Sequence, residues 1–277
     1  MVLYSQEAHQ YLVGDDQKAY FSESDDWIDA TSAGYELIRG KETFLHSGND
    51  FYQGTNFDSP GWDNMVRGNR GSDSLQGSWA APSRDHLRGG KDSDSLDGGI
   101  GGNDFLHAAR GDDWIWGSDD SSILRGGKGS DRIFGGNSRD VLLGAIGKDY
   151  LEGGGGSDLF MLRTNLTHGG SMNASTNIAE ADRITDFNVA DDYVILPGVV
   201  SHNDVWVTVD GADAVINVWD GEKQLIAGVI EGIAVGFDPG ISDARIIAGG
   251  LADQINVETE SSDAFLANPF LLDSFGI

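Results

Sequence analysis

The chain has 277 residues, 45 of them Asp or Glu against 18 Lys or Arg, for a formal charge of −27, with 40 glycines and no cysteine. Disulfides and thiol catalysis are thereby excluded, and no run reaches the roughly 18 apolar residues of a membrane-spanning helix. Self-repulsion and glycine entropy oppose compaction of such a chain, and its charge argues against nucleic acid or an anionic polysaccharide as a direct partner.

The first residues, MVLYSQEAHQYLVGDDQK, hold no basic segment followed by an apolar stretch, so a cleaved signal peptide is not expected. Residues 1–67 then carry fragments of a short pattern: Asp26-x-Ile28, Glu36-x-Ile38 before Gly40, Gly48-x-Asp50-x-Tyr52-x-Gly54, and Asn64-x-Val66 before Gly68. They read as degenerate turns of the array that follows.

From Gly68 the pattern is legible. Units open at Gly68, Gly77, Gly89 and Gly98, and from Ala108 to Met161 they repeat every nine residues without a slip. The units at Gly126 and Gly153 read GGKGSDRIF and GGGGSDLFM, which is G-G-x-G-x-D-x-U-x with U a large apolar residue. The sixth position holds Asp73, Asp85, Asp94, Asp104, Asp113, Asp131, Asp140, Asp149 and Asp158, with Ser122 the one exception. The eighth position runs from Leu75 to Phe160 and is apolar in every unit. A disordered acidic linker has no need of an apolar residue locked in phase through ten units.

Glycine-rich residues followed by x-U-x make a tight turn and a short strand with U facing inward. Each unit is half a coil, two units complete a turn of a flattened roll, and stability comes only from stacking. The sixth-position residues then separate by parity onto two edges, Asp73, Asp94, Asp113, Asp131 and Asp149 on one and Asp85, Asp104, Ser122, Asp140 and Asp158 on the other. Carboxylates stacked at the inter-strand spacing of about 5 Å repel unless a cation lies between turns. Calcium fits, because it accepts six to eight oxygen donors in irregular geometry, whereas magnesium demands an octahedron and keeps its water. At Ser122 either Asp119 or Asp120 substitutes, or that edge has a weak site.

The residues flanking U point outward. One outer face carries Phe105, Ile123, Val141, Leu143, Leu159 and Met161, expected to pack against the C-terminal part or to mediate self-association. The other carries Trp114, Trp116, Phe134 and Tyr150 among polar residues, which cover surface, meet a neighbour, or stack on sugar rings.

Residues 180–236 read as antiparallel strands around Asp210-Gly211 and Asp220-Gly221, capping the open end of the roll. The tail after Arg245 has no Lys or Arg and ends NPFLLDSFGI.

With these repeats the chain resembles the RTX (repeats-in-toxin) family of hemolysin-type calcium-binding proteins. The nonapeptides from Gly68 to Met161 carry the resemblance, joined by Ala181–Phe187 and Asp191–Leu196, which look like the strands that close an RTX roll. The resemblance implies an all-β, right-handed parallel β-roll (solenoid) with an antiparallel β C-terminal cap. It implies calcium (multiple Ca2+ ions) held between turns by the nine sixth-position aspartates and by turn carbonyls. It also implies type I secretion through an uncleaved C-terminal signal. Ser122, Asp92 at a fourth position usually Gly, and the insertions at Gly77 and Gly98 depart from the family pattern and leave calcium sites there in doubt.

No zinc helix, nucleophile elbow, phosphate-binding loop or helical calcium loop is present, and the six histidines show no metal-pair spacing. The sequence therefore divides into degenerate N-terminal repeats (1–67), an RTX β-roll (68–161), a β-rich cap (162–240) and a tail with the export signal (241–277). It reads as a non-enzymatic, secreted, calcium-binding repeat protein with a structural or adhesive role and calcium-coupled folding. Its rivals are a polysaccharide-active enzyme with an unrecognised site and a glycan-binding module using Trp114 and Trp116.

Overall fold

The computed structural model describes residues 2–6, 9–13, 18–30, 41–54, 64–79, 83–162, 174–197, 202–233 and 246–248. The Glu36–Gly40 fragment and the tail beyond residue 248 lie outside them. The described residues are almost wholly β, with only Ile178–Glu180 and His202–Asp204 in single 3₁₀ turns. No helix among them is long and apolar enough to cross a membrane.

From Lys18–Tyr20 to Tyr193–Leu196 the strands pass alternately into a twelve-stranded and an eleven-stranded sheet, here the first and second sheet. Asn64–Arg70, Asp85–Lys91, Phe105–Arg110, Ile123–Lys128, Val141–Ile146 and Leu159–Met161 stack in parallel in the first. Ser74–Ser78, Ser95–Gly99, Trp114–Trp116, Arg132–Gly136 and Tyr150–Gly154 do so in the second. The apolar eighth positions thus fall into two facing files. Val66, Leu87, Leu106, Leu124, Leu142 and Phe160 are in register in one, and Leu75, Leu96, Ile115, Ile133 and Leu151 in the other. All are 0–1 % exposed. Burying one such side chain contributes about 1.5–3 kcal/mol, and only when neighbouring coils are present to cover it.

Glycine sets how closely the turns stack. Gly129 has φ +135°, and a Cβ there would stand 1.7 Å from the Gly111 carbonyl oxygen of the preceding turn. No other residue fits that approach.

Parallel pairing also runs upstream, joining Trp27–Asp29 to Phe51–Gln53 to Ser74–Ser78, and Lys18–Tyr20 to Glu42–Phe44 to Asn64–Arg70. Ile28 and Tyr52 occupy inward positions and are buried. Ahead of them the first sheet changes character, since Val2–Gln6 and His9–Val13 pair antiparallel.

Downstream, Asp182–Ile184 and Tyr193–Leu196 add parallel strands to Tyr150–Gly154 and Leu159–Met161. An antiparallel meander, Val205–Asp210, Asp213–Trp219 and Gln224–Ile230, then turns at Gly211 and Gly221, both at positive φ. It continues the second sheet, its last strand parallel to Asp182–Ile184. Phe160, the apolar residue of the last nonapeptide, is fully buried with the Phe187 ring 5.9 Å away.

The two outer faces differ. Phe105, Ile123, Val141, Leu143, Leu159 and Met161 form a second apolar cluster with Ile195, each at most 6 % exposed. On the second sheet Trp114 is 41 % exposed, its ring stacked on those of Trp116 and Phe134.

Candidate metal centre

Each sixth-position aspartate ends a turn and begins a strand, so stacking coils stacks these carboxylates. On one edge the chain of contacts is continuous. The backbone N–H of each aspartate donates to Oδ1 of its counterpart one coil later, through Asp26, Asp50, Asp73, Asp94, Asp113, Asp131, Asp149 and finally Asp182, at 2.7–3.0 Å. On the other edge Asp85 donates to Asp104, Ser122 to Asp140, Asp140 to Asp158 and Asp158 to Asp192, at 2.7–2.9 Å.

The second carboxylate oxygen decides what the edges can do. Oδ2 of Asp50, Asp73, Asp94, Asp104, Asp113, Asp131, Asp140, Asp149 and Asp158 is buried with no hydrogen-bond partner among the described residues. Leaving a buried anionic oxygen unsatisfied costs several kcal/mol, so these nine atoms require a proton or a cation. Seven of the nine, all but Asp50 and Asp113, face a glycine; a Cβ on Gly126 would lie 2.1 Å from Asp131 Oδ2.

Asp85 differs from the other expected site residues. Its Oδ2 accepts from the Ser78 N–H and the Ser83 hydroxyl at 2.8 and 3.0 Å, and Asn64 donates to its Oδ1 at 2.6 Å. The longer unit at Gly77 brings Ser83 to this place. The outermost carboxylates are also served locally, Asp26 by Ser22 and Asp192 by the Asn188 N–H. The interior positions stay open, Asp104 of the lengthened unit at Gly98 among them, while Asp85, Asp26 and Asp192 are met by protein donors.

Burial moves the acidities accordingly. Desolvation pushes Asp94 and Asp104 up to about 9, with Asp113 among the neighbours that reinforce the first and Asp85 the second. Asp131 and Asp140 rise to about 8, Asp73 and Asp158 to about 7, and Asp50 and Asp113 to about 6, desolvation leading in each. Burial raises both Asp149 and Asp182, with repulsion from Asp182 adding to the first and from Asp131 to the second. Without a cation, most of these edges hold protons at neutral pH.

The donor set tests which cation fits. Among the described residues no three His, Cys, Asp or Glu side chains gather around one point that could hold a metal ion. Any ion on these edges therefore draws most of its ligands from turn carbonyls. An all-oxygen set of carboxylate and carbonyl in irregular turns suits calcium, and it does not suit softer metals that prefer imidazole or thiolate.

At Ser122 neither neighbouring aspartate replaces the missing carboxylate. Asp119 and Asp120 are exposed, Asp119 bound to the Asn137 side chain and Asp120 to the Gly102 N–H. Ser118 and Ser122 instead place hydroxyls there, 3.3 Å apart.

Asp50, Asp182 and Asp192 belong to these edges although they fall outside the regular repeats. Each carries the same signal, an aspartate two residues before an inward apolar residue: Asp50-x-Tyr52, Asp182-x-Ile184 and Asp192-x-Val194.

The fold and its edges define a calcium-binding parallel β-solenoid. The family model of the RTX calcium-binding nonapeptide repeat (4 copies) matches residues 82–101, 99–133 and 125–160, which hold every expected site aspartate except Asp73. No curated protein matches the chain. Residues 82–160 are thus RTX-type nonapeptide repeats, and such repeats bind Ca2+ at multiple sites.

Proposed function

We propose that this is a secreted protein with a structural or adhesive role at a cell surface or in an extracellular matrix, folded by calcium. In this reading Asp73, Asp94, Asp104, Asp113, Asp131, Asp140, Asp149 and Asp158 hold the ions together with turn carbonyls, and Asp50 extends the row. The observation that carries it is the file of buried Oδ2 atoms without partners. Asp85 stays in the row as a weaker contributor, because serine donors already occupy its second oxygen.

Bound calcium supplies positive charge to a chain of net charge −27, and its binding energy becomes folding energy. Calcium binding to protein that is already folded displaces the protons its buried aspartates hold, whereas the unfolded chain, with carboxylates near 3.8, has none to release at neutral pH. Extracellular calcium modules bind at roughly 10⁻⁴ to 10⁻³ M, which keeps the chain loose at cytosolic calcium and orders it outside. Export by a type I system follows from the RTX resemblance and suits a chain that folds only after exit.

The test is a calcium titration read by circular dichroism and sedimentation. We expect β signal to appear cooperatively with calcium and to vanish with chelator at pH 8. Full β signal and an unchanged melting temperature in chelator would overturn the reading.

One observation favours a second reading, a module for neutral glycans. Trp27 and Trp114 are 61 % and 41 % exposed on the outer face of the second sheet, Trp27 stacked on Phe51 at 4.0 Å and Trp114 beside Trp116 at 5.4 Å. Loss of neutral oligosaccharide binding on Trp114→Ala, with the calcium midpoint unchanged, would establish it; no binding by the native protein would remove it.

A further inference from the structure

The outer face of the first sheet runs against the character of the chain. Register aligns Tyr20, Phe44, Arg67, Arg88, His107 and Arg125 in one column along the roll. Three residues further along the same strands a second column reads Arg70, Lys91, Arg110 and Lys128. Seven of the 18 Lys and Arg residues thus lie in two adjacent files on one face of a protein of charge −27.

The repeat does not require this. At the corresponding third position of the units on the opposite edge stand Trp79, Ile100, Asp119, Asn137 and Gly155.

Residues three apart on a flat strand point to opposite faces. Here a left-handed residue intervenes in each strand, Asn69 at φ 80°, Gly90 at 140°, Ala109 at 89° and Gly127 at 129°. It turns the second column back toward the first. Between them lies a groove of about 360 Å³, with Arg67, Arg88, Lys91 and Arg110 around it and Gly89, Gly90 and Ala109 among its lining.

Glu42 pairs with Arg67 and Lys18, whereas among the described residues Lys91, Arg110 and Lys128 stand in no ion pair. Arg125 Nε is buried without a hydrogen-bond partner among the described residues. His107 is held neutral, its pKa lowered to about 3 by burial and then by Arg125, Arg88 and His86.

We propose that this groove binds an extended acidic polysaccharide, its carboxylates on the two cation files and a sugar ring on the Tyr20–Phe44 end. Guanidinium groups take carboxylates in a planar, bidentate fashion, and the second file offers a charge at each strand spacing of about 4.8 Å. Tyr20 and Phe44 stack at 5.2 Å in line with the cations, which gives the column an aromatic start and a charged continuation. A polyphosphate would need no aromatic start, and its denser charge would meet stronger repulsion from the acidic remainder. The high overall negative charge, read without the fold, points away from such a ligand; segregation of the cations reverses that inference for this face.

The proposal deepens the adhesive reading and rests on it only in needing the folded roll. The experiment is calorimetry of the full chain at saturating calcium with short oligogalacturonates, which calcium does not gel, at low and high NaCl. We expect binding that weakens with salt, falls about tenfold or more in Lys91→Glu/Arg110→Glu, and falls less in Lys91→Gln/Arg110→Gln. Circular dichroism of the same samples gives the calcium midpoint, which should not move; a shifted midpoint with intact sugar binding would count against the calcium reading alone. No binding by the native protein, equal binding by both double variants, or equal or tighter binding of a neutral oligosaccharide or an oligothymidylate would overturn the proposal. If the Glu variant fails to fold, the Gln variant and the salt dependence of the native protein decide.

Discussion

Through the regular nonapeptides from Ala108 the two edges of the roll share one backbone pattern and differ in one sixth-position side chain. On the Asp131 edge the sixth-position carboxylates are unbroken from Asp26 to Asp182; on the Asp140 edge Ser122 interrupts them. The strands on either side of Ser122 still pair in register, and Leu124 is fully buried. Apolar stacking and the backbone ladder therefore tolerate loss of a carboxylate. What the carboxylates add is a buried charge that must be neutralised, and so a dependence on something outside the chain.

That comparison can be broken first by pH, which acts on both edges at once. Burial raises Asp94, Asp104, Asp131 and Asp140 to about 8 or 9 from an unfolded value of 3.8. A carboxylate with a raised folded pKa contributes stability that is fully present below about 4 and is lost as the pH climbs through the folded value. Calcium-free protein should accordingly hold more β structure at pH 5 than at pH 8, with saturating calcium abolishing the difference. Far-ultraviolet dichroism across this range in chelator checks it, and a calcium-free protein most ordered at pH 8 would contradict the burial argument.

A smaller effect is expected edge by edge. Asp131→Ala and Asp149→Ala should each raise the calcium concentration at the folding midpoint several-fold, about 1 kcal/mol of lost coupling or more. Asp210→Ala, in the exposed hairpin turn, should leave it unmoved. Equal midpoints for all three variants would dissolve the distinction between edge and surface.

The smallest and sharpest test repairs the interrupted edge. Gly117 opens the Ser122 unit as Gly126 opens the Asp131 unit, so no Cβ blocks a carboxylate at residue 122. Ser122→Asp should lower the calcium midpoint modestly and make the calcium-free protein less stable at pH 8. A calcium-free protein stabilised at pH 8 by this change would show that the hydroxyl pair, not the carboxylate, is the better neighbour there.

The inward files were legible in the sequence because the nine-residue phase fixes both the aspartate and the apolar residue of each unit. The hairpins at Gly211 and Gly221 were legible from Asp-Gly turns between apolar runs. Asp182 and Asp192 were harder to place, since 33 and 34 residues separate them from Asp149 and Asp158, where regular coils repeat every 18. The occupied second oxygen of Asp85 was not legible, because it depends on where an insertion puts Ser83. The cation files were invisible to composition: net charge sums over the molecule, and only strand register sorts Arg67, Arg88 and Arg125 onto one face. A left-handed Asn69 or Ala109 between two cations has no signature in a repeat that leaves that position open.

The edge hydrogen bonds also give the roll a direction. Along the Asp131 edge the N–H of each aspartate from Asp26 to Asp149 is capped by the side chain of the coil that follows it, so a coil there is finished only when its successor is in place. The last nonapeptide coil on that edge is finished by Asp182, which lies beyond the repeats.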